Sequence, residues 1–285
     1  MKKRRWILAA AALCVLLGFE LYRSNRMLSM DYEQIATDLV TQDIRIVHLS
    51  DLHNTEFGTG NRDLLALIAG QQPDLIFLSG DMVTGSQKDT QIAMDLAEQL
   101  VQIAPVYASI GNHEQVHQKN FGSDLTGMLE HRGVRVLEYT YEDVTVKDQQ
   151  LRIGGASGCC VPEIYLWSGE AKEFECTYLK DFQNTDRCTM LLAHLPIAWL
   201  RNGGLDYWDV DLVFSGHTHG GQFRIPVVGS LYGLDMGFFP GWLEGEIPSE
   251  DGSKHLILSR GLGNSLPVPR LNNPPQVLVV DVVAK

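Results

Sequence analysis

Two kinds of hydrophobic pattern alternate along the body of the chain. Short continuous apolar runs are typical of strands buried on both faces, whereas apolar residues three and four positions apart predict helices with one buried face. The predicted strands are residues 44–49, 75–78, 106–110, 134–139, 144–146, 151–155, 189–193, 212–214, 256–258 and 277–282. The predicted helices are residues 61–69, 90–102 and 125–132.

The order of these elements predicts the fold class and the domain organisation. Strands and helices alternate in the first part of the body and strands predominate later, which is typical of a layered α/β domain with two sheets. Residues 162–187 carry the weakest pattern and are predicted to be an insertion or a lid-like connection. We therefore divide the chain into an N-terminal segment (1–26), a polar linker (27–43) and one folded domain (44–285).

The N-terminal segment contains the one long apolar run of the chain. Lys2, Lys3, Arg4 and Arg5 precede residues 6–19, which are all apolar or glycine. This run is shorter than the roughly 20 residues of a full membrane span, so it suits either the core of a signal peptide or a short anchor. Because no small-x-small cleavage signal follows, an uncleaved anchor is the favoured interpretation.

The basic residues before the apolar run predict the side of the membrane on which the body lies. Positively charged flanks stay in the cytoplasm, so the body is expected outside it, either membrane-anchored or exported. Arg4 and Arg5 also resemble a loose twin-arginine export signal. The preferred interpretation is that these two arginines simply end a basic cluster.

The net charge of −12 over 285 residues narrows the range of partners. An acidic surface repels a phosphate backbone, which argues against broad, sequence-independent binding of nucleic acid. A phosphate-containing substrate is compatible with that charge, because bound cations become the largest local charges in a site.

The five cysteines do not form a zinc-binding pattern. There is no CxxC pair and no alternation with histidine at zinc-finger spacing, so a structural zinc site is not expected. Whether a disulfide joins any of Cys159, Cys160, Cys176 and Cys188 stays open, because spacing alone fixes no connectivity.

Side chains that bind metal ions follow five of the predicted strands. Ligands of α/β sheets gather at the loops beyond the carboxyl ends of the strands, so these loops are expected to converge at one edge. The residues in these loops are Asp51, His53, Asp81, Asn112, His113, His194, His217 and His219.

The spacing and chemistry of these residues predict a site for metal ions. Residues two apart in an extended segment point the same way, so Asp51 and His53 can hold one ion, and His217 and His219 can enter the same pocket. Carboxylate, imidazole and amide ligands together suit manganese, iron, zinc or cobalt, and Asp81 is the candidate to bridge two ions. Each motif alone has an ordinary explanation, such as a surface pair or a capped helix start, but five of them in order indicate one site.

The order of the motifs resembles the signature of the calcineurin-like metallophosphoesterases, over about residues 44–283. The matching blocks are Asp51-Leu52-His53, Gly80-Asp81, Gly111-Asn112-His113-Glu114, His194 and Gly216-His217-Thr218-His219. The extension of the last block to Gln222, followed by residues 259–263 and by Asn273-Pro274-Pro275, resembles the YkuE/YaeI-like branch. Members of that branch often carry an N-terminal export signal or membrane segment. Residues 54–58 are not diagnostic of it.

The resemblance implies a fold, a ligand set and roles for the matched residues. The implied fold is a sandwich of two β-sheets flanked by helices, with two divalent transition-metal ions at the sheet edge. The first ion is expected on Asp51, His53 and His219, and the second on Asn112, His194 and His217, with Asp81 shared by both. His113 matches a histidine that does not bind metal and that contacts the leaving-group oxygen or the scissile phosphate.

The expected activity is hydrolysis of a phosphoester, as a phosphodiesterase or phosphatase. A hydroxide bridging the two ions would attack phosphorus in line with the leaving oxygen, which His113 could protonate. Two other interpretations stay open: a degenerate metal-binding envelope protein of the same fold, and a dimetal hydrolase that acts on another bond such as an amide. The first would be favoured by a missing ligand and the second by a missing Gly-Asn-His-Glu block, and neither is missing.

Substrate choice follows less directly from the sequence. An anchored enzyme facing outward would meet lipid-linked or envelope phosphoesters. Residues 231–242, with Phe238, Phe239 and Trp242, are predicted to be a packed loop over the sheet edge or, less favoured, a border for an amphipathic substrate. Arg260 and Arg270 are predicted either to contact a phosphate or to tether loops through ion pairs, and this choice also stays open.

Overall fold

The computed structural model describes residues 2–157, 174–200, 203–241 and 243–285. The helices are α1 (Lys2–Arg26), α2 (Arg62–Gly70), α3 (Gln91–Leu100), α4 (Asn112–Phe121), α5 (Leu125–Glu130), α6 (Phe174–Phe182), α7 (Ile197–Leu200) and α8 (Gly204–Tyr207). The strands are β1 (Ser29–Thr37), β2 (Ile44–Leu49), β3 (Leu75–Leu78), β4 (Val106–Ala108), β5 (Arg135–Val136), β6 (Thr140–Val146), β7 (Gln149–Ala156), β8 (Cys188–Ala193), β9 (Leu212–Ser215), β10 (Arg224–Ile225), β11 (Gly229–Gly233), β12 (Gly237–Gly241), β13 (Gly245–Pro248), β14 (His255–Leu258) and β15 (Gln276–Ala284).

Two six-stranded sheets form the centre of the molecule. The first has the strand order β1-β15-β2-β3-β4-β5 and the second β13-β14-β9-β8-β7-β6. Strands β2 to β5 run parallel, as do β7, β8, β9 and β14, so the loops that follow them leave from the carboxyl edges of the sheets.

The apolar side chains of the strands show how the layers stack. Along β2, Ile44 and Ile46 pack against residues of the second sheet, whereas Val47 and Leu49 pack against the helices on the outer face. Both faces are therefore buried, which explains why this strand is a continuous apolar run in the sequence. Helices α2, α3 and α5 cover the first sheet, and α6 to α8 cover the second. The predicted α/β sandwich of two sheets flanked by helices is confirmed.

The structure corrects the expectation that residues 27–43 are a linker. Within them, β1 pairs in parallel with β15 over nine residues and forms one edge of the first sheet. Only Ile35 is buried among its side chains, because an edge strand has little apolar contact to make. The strand is held by backbone hydrogen bonds, which any sequence can form, so its hydrophobic pattern is weak.

Two other weakly patterned segments contain regular structure. The stretch predicted to be a loop over the sheet edge supplies β11 and β12 of a three-stranded antiparallel sheet, in the order β10-β11-β12, while its Trp242 lies outside the described residues. In the predicted insertion, α6 begins at Phe174, and residues 162–173 lie outside the described part of the chain. Cys159 and Cys160 also lie outside it, whereas Cys188 is a buried free thiol.

The N-terminal segment forms the long helix α1. Its 24 residues from Lys3 to Arg26 have the length and composition of a helix that crosses a membrane, and only 6% of its apolar window is buried in the molecule. By length and composition alone, this helix suits a membrane anchor or a signal sequence.

Candidate active site

Five loops bring the predicted metal-binding side chains to one edge of the sandwich. Those after β2, β3 and β4 leave the first sheet, and those after β8 and β9 leave the second. The loops after β2 and β3 continue to pair beyond the sheet, since the Asp51 amide donates to the Gly80 carbonyl at 3.0 Å and the His53 amide to the Asp81 carbonyl at 3.1 Å. Each ligand loop is thus fixed by its neighbour.

The backbone at this edge adopts a conformation that side-chain-bearing residues rarely take. Five of the predicted ligands have positive φ angles and lie in the left-handed region, which costs of order 1–3 kcal/mol each and persists only where the surroundings over-determine it. These residues and angles are Asp51 (52°), His53 (48°), Asp81 (56°), His217 (70°) and His219 (48°). Strain concentrated on these residues is typical of a functional site.

Glycines allow the loops to approach each other closely. A Cβ atom at Gly216 would overlap the hydroxyl of Ser50 and the carboxylate of Asp51. A Cβ atom at Gly111 would overlap the carboxylate of Asp81. The glycines that precede His217 and Asn112 are therefore required by the packing of the acidic side chains.

The side chains form three groups of three that could each hold a metal ion, and two of these groups share no residue. One group is Asp51, His53 and His219, and the other is Asp81, His194 and His217; within each group, one ligand atom per residue lies within 4.8 Å of the others. The groups adjoin, because His53 Nε2 is 3.8 Å from both Asp51 Oδ1 and Asp81 Oδ2.

The two buried carboxylates are oriented by backbone amides. The amide of His113 donates to Asp81 Oδ1 at 2.7 Å, which leaves Oδ2 facing His194 Nε2 at 3.1 Å. The amide of His217 donates to both oxygens of Asp51 at 3.1–3.2 Å. One oxygen of Asp81 thus lies between the two groups, where a bridging ligand has to be.

Carbonyl groups behind two of the histidines fix which ring nitrogen faces the site. His194 Nδ1 lies 2.9 Å from the Ser79 carbonyl, and His53 Nδ1 lies 3.3 Å from the Val83 carbonyl. We infer that each ring donates Nδ1–H to its carbonyl and directs Nε2 into the site, an arrangement common for histidines that bind metals.

The charges of the site favour a cation at its centre. Burial lowers the pKa of His194, but the carboxylates of Asp81 and Asp51 outweigh that effect and raise it to about 10. Burial also opposes ionisation of Asp51 and Asp81, yet the surrounding histidines hold the pKa of both carboxyls below the ordinary value. Two ionised carboxylates with almost no access to water require positive charge beside them, which protonated His194 supplies and which a metal ion would supply on displacing that proton.

Burial keeps two other imidazoles in the neutral form that binds metals. It lowers the pKa of His53 to about 4 and that of His219 to about 3, despite the neighbouring carboxylates. Their Nε2 atoms lie 3.3 Å apart, within reach of one ion.

The donor set fits two transition-metal ions. His194 Nε2 is buried and lies close to Asp81 Oδ2, but the two atoms are not aligned as a hydrogen bond, so the nitrogen has no hydrogen-bond partner. A buried nitrogen in that state costs free energy unless a ligand satisfies it. The mixture of imidazole nitrogens and carboxylate oxygens is the set that such ions prefer.

Asn112 and His217 complete the second group. Asn112 begins α4, and its Oδ1 lies 3.1 Å from His217 Nδ1. His217 Nε2, on the other side of the ring, lies 3.0 Å from Asp235 Oδ2 in the turn between β11 and β12. The three-stranded sheet therefore contacts a candidate ligand through this aspartate.

His113 occupies a different position from the other histidines. Its side chain is 27% exposed, and its Nε2 lies 4.0 Å from Asp81 Oδ2. The Gly85 amide donates to its Nδ1 at 3.1 Å, so the neutral ring carries its proton on Nε2, facing the site. A protonated nitrogen is a hydrogen-bond donor and not a metal ligand, although His113 also lies within ligand distance of His53 and Asp81.

The structure brings all eight residues predicted from the sequence to this edge, and it adds Glu114 and Asp235, to which the sequence analysis assigned no role. Glu114 accepts backbone N–H groups from Asp81, Val83 and Gly111 at 2.8–3.1 Å and so holds the Asp81 loop on the start of α4. Burial and the charge of Asp81 raise the pKa of Glu114 to about 7. Its place in the Gly-Asn-His-Glu block was a usable signal, whereas nothing in the sequence marks Asp235.

The two arginines considered for phosphate binding act as tethers. Arg260 forms an ion pair with Asp31 at 2.7 Å and another with Glu244. Arg270 is buried and donates to the carbonyls of Arg260 and Gly263, while its Nη2 lies 3.2 Å from His219 Nδ1. The predicted ion pairs are present at Arg260, whereas Arg270 holds its loop through carbonyl groups and not through the predicted ion pair.

Comparisons with known proteins agree with this geometry. A family model described as calcineurin-like phosphoesterase matches residues 44–221. Phosphodiesterase YaeI of Escherichia coli (strain K12) is 30% identical over 246 residues, which cover 84% of this chain and 82% of that protein. The uncharacterized metallophosphoesterase YkuE of Bacillus subtilis (strain 168) is 27% identical over 90% of this chain and 86% of its own length.

Solved structures are more distant. The 5′-nucleotidase precursor from Thermus thermophilus superposes with a TM-score of 0.48 at 15% identity and covers 77% of this chain. The chain spans about half of that structure, 49%.

Proposed function

The chain belongs to the calcineurin-like phosphoesterase family and is a metal-dependent phosphoric ester hydrolase, and we propose that it uses two divalent transition-metal ions to hydrolyse an envelope phosphodiester or phosphomonoester. The observation that carries the proposal is the pair of adjoining ligand groups with one Asp81 oxygen between them. Manganese is the first metal to test, and iron, zinc and cobalt suit the same donors.

The residues divide between the two ions as follows. Asp51, His53 and His219 would hold one, Asn112, His194 and His217 would hold the other, and Asp81 would contact both. Bound there, the ions would supply activation of a water molecule and neutralisation of charge on the phosphoryl oxygens. The backbone amides on Asp51 and Asp81, and the carbonyls behind His53 and His194, orient the ligands for that purpose.

His113 would act on the substrate directly. Its Nε2–H points into the site from a partly exposed position, while its Nδ1 is held by the Gly85 amide. From there it would donate a hydrogen bond or a proton to the leaving-group oxygen, or a hydrogen bond to a phosphoryl oxygen.

The substrate is proposed to be lipid-linked or otherwise part of the cell envelope. The Escherichia coli relative is named as a phosphodiesterase, and this supports a diester for the present chain. The apolar helix α1 would keep the enzyme where such substrates occur.

A substrate screen with the metal-loaded full chain tests this function. Purified protein reconstituted with manganese should hydrolyse at least one of bis-p-nitrophenyl phosphate, p-nitrophenyl phosphate and a pyrophosphate, and elemental analysis should give about two ions per chain. Metal content near zero with manganese, iron, zinc and cobalt, or full occupancy without any hydrolysis, would contradict the proposal. The second result would favour a metal-binding protein that does not catalyse.

The orientation of the body is a separate proposal that rests on Lys2, Lys3, Arg4 and Arg5 before the apolar run. The body is expected outside the cytoplasm. Protease added to cells stripped of their outer layers should digest it while a cytoplasmic marker survives. Protection until the membrane is lysed would reverse the orientation and move the substrates to the cytoplasm.

A further inference from the structure

Helix α1 joins the body at the edge that carries the ligand loops. It ends at Arg26, and β1 begins three residues later at Ser29. Ser29 pairs with Gln276 at the start of β15, and β15 runs antiparallel to β2, so only β15 separates this end of β1 from the carboxyl end of β2. That is where Asp51 follows.

Side-chain hydrogen bonds fix the end of α1 to a loop beneath the candidate active site. The backbone amide of Asn272 donates to Glu20 at 2.8 Å, and that of Asn273 donates to Ser24 at 3.0 Å. The Asn273 side chain in turn donates to the carbonyl of His219 at 2.6 Å. The helix is therefore not a flexible tether, because the loop that holds it also holds a candidate metal ligand.

The three-stranded sheet is attached to the same loop. The Arg224 amide donates to the Leu271 carbonyl at 3.1 Å, and the Asn272 side chain donates to the Arg224 carbonyl at 3.3 Å. Since Asn272 also accepts from Arg23 of α1 at 3.1 Å, the sheet begins directly beside the point where the apolar helix leaves the body.

The sheet presents large apolar side chains to its surroundings. Val227 is 95% exposed in the turn after β10, and Phe238 and Phe239 in β12 are 74% and 60% exposed. Val227 and Phe239 have φ angles of 71° and 53°, in the region where asparagine or glycine would be favoured. Folding favours polar residues or glycine at such positions, so a partner surface would account for the apolar side chains.

We propose that the β10–β12 sheet is a second membrane-contact surface, with Val227, Phe238 and Phe239 in the interfacial layer of the bilayer that α1 enters. The partner is a bilayer because the sheet is fixed, through Asn272, to the end of the apolar helix α1, and aromatic side chains favour this layer. The edge with the ligand loops then faces the membrane, and the substrate is the phosphate group of a lipid headgroup. The substrate class rests on the proposed function, whereas the membrane contact rests on α1 as an anchor and not on catalysis.

Photocrosslinking tests the contact without using catalysis. The full chain is placed in vesicles of phosphatidylethanolamine and phosphatidylglycerol with p-benzoylphenylalanine replacing Phe238. The control position is Leu39, which is also exposed but lies just beyond Thr37, at the opposite end of β1. Lipid adducts are expected at position 238 and only background at position 39. Equal labelling at the two positions, or adducts with protein alone at position 238, would overturn the proposal.

A substitution that suits the backbone tests the consequence for the substrate. Val227→Asn places a favoured residue in a left-handed turn, so folding is not impaired, and Val228→Asn removes the next exposed apolar group. The double variant should hydrolyse hexadecyl p-nitrophenyl phosphate in vesicles about three- to tenfold more slowly while soluble bis-p-nitrophenyl phosphate is unaffected. Leu39→Asn should change neither rate.

The outcomes separate this inference from the proposed function. An unchanged ratio of the two rates would reject the role of the sheet in presenting a membrane substrate. Lipid adducts at position 238 in a protein that hydrolyses neither probe would reject the proposed function and leave the membrane contact standing.

Discussion

The ligand loops and the β10–β12 sheet lie at the same edge of the molecule but are built in opposite ways. Both regions contain residues with left-handed backbone conformations. In the loops these residues are mostly buried aspartates and histidines, whereas in the sheet they include the exposed Val227 and Phe239. The loops are locked to one another by backbone and carboxylate hydrogen bonds. The sheet is tied to the loop at residues 270–273 and, through Ser230, to the Gly220 carbonyl, and it has a register irregularity between Ser230 and Tyr232.

Because of this difference, we assign the chemistry of the site to the ligand loops and the choice of substrate to the β10–β12 sheet. A strained backbone persists where surrounding contacts over-determine it, as they do around Asp51 and Asp81. In the sheet, the strained residues Val227 and Phe239 are exposed, and the proposed membrane contact would offset their strain. We therefore expect changes in the loops to abolish turnover and changes in the sheet to alter it moderately.

The largest effect is expected from the carboxylate between the two ligand groups. Asp81→Asn removes a buried charge that faces His53 and His194, so it should lower the content of both metals and reduce turnover by about 10⁴-fold. Metal analysis and steady-state kinetics on the same preparation measure both effects. Asp148→Asn is the matched control, because Asp148 is exposed and has a similar φ of 63°. Two retained ions in the Asp81 variant would show that Asp81 does not bridge.

A smaller loss of turnover, without loss of metal, is expected at His113. His113→Ala removes a donor that faces the site but whose ring is already committed to the Gly85 amide, so turnover should fall about 10²–10⁴-fold at nearly full occupancy. His131→Ala, which changes an exposed histidine on the C-cap of α5, is the control. If His113→Ala empties the site instead, the residue belongs with the ligands.

The same contrast explains how much of the molecule the sequence could predict. β2 and β3 occur at their predicted bounds because both faces of each strand are buried, and the ligand motifs were visible because each follows such a strand. β1, β10 and β12 were missed because edge and surface strands are held by backbone hydrogen bonds and carry little apolar periodicity. The contact between Asp235 and His217 depends on the fold of the β10–β12 sheet, so no local sequence pattern predicts it.

The glycine before His217 tests whether tight packing of the ligand loops is needed for turnover. Gly216→Ala would push a methyl group into Ser50 and Asp51, and displacement of a ligand by about 1 Å can reduce turnover about 10²-fold. Gly70→Ala at the end of α2 meets no atom within 4 Å and should be silent. Both glycines lack a positive φ, so backbone strain does not separate the two variants. Equal activity of the two would mean that the loops can move apart at no cost.

The smallest effect is expected where the two regions meet. Asp235 lies in the β11–β12 turn with its carboxylate 3.0 Å from His217 Nε2, and partners of this kind orient metal-binding histidines. Asp235→Asn keeps a residue suited to the φ of 62° but removes the charge, so metal affinity and turnover should each fall by about 10–100-fold. Because the aspartate side chain is 53% exposed, solvent screens its charge, and the lower end of that range is expected.

Metal titration followed by kinetics at saturating metal distinguishes a ligand-orienting role of Asp235 from one in substrate contact. Recovery of full turnover at high metal would confirm that Asp235 acts through His217, whereas a defect that saturation does not relieve would place the β11–β12 turn in contact with the substrate.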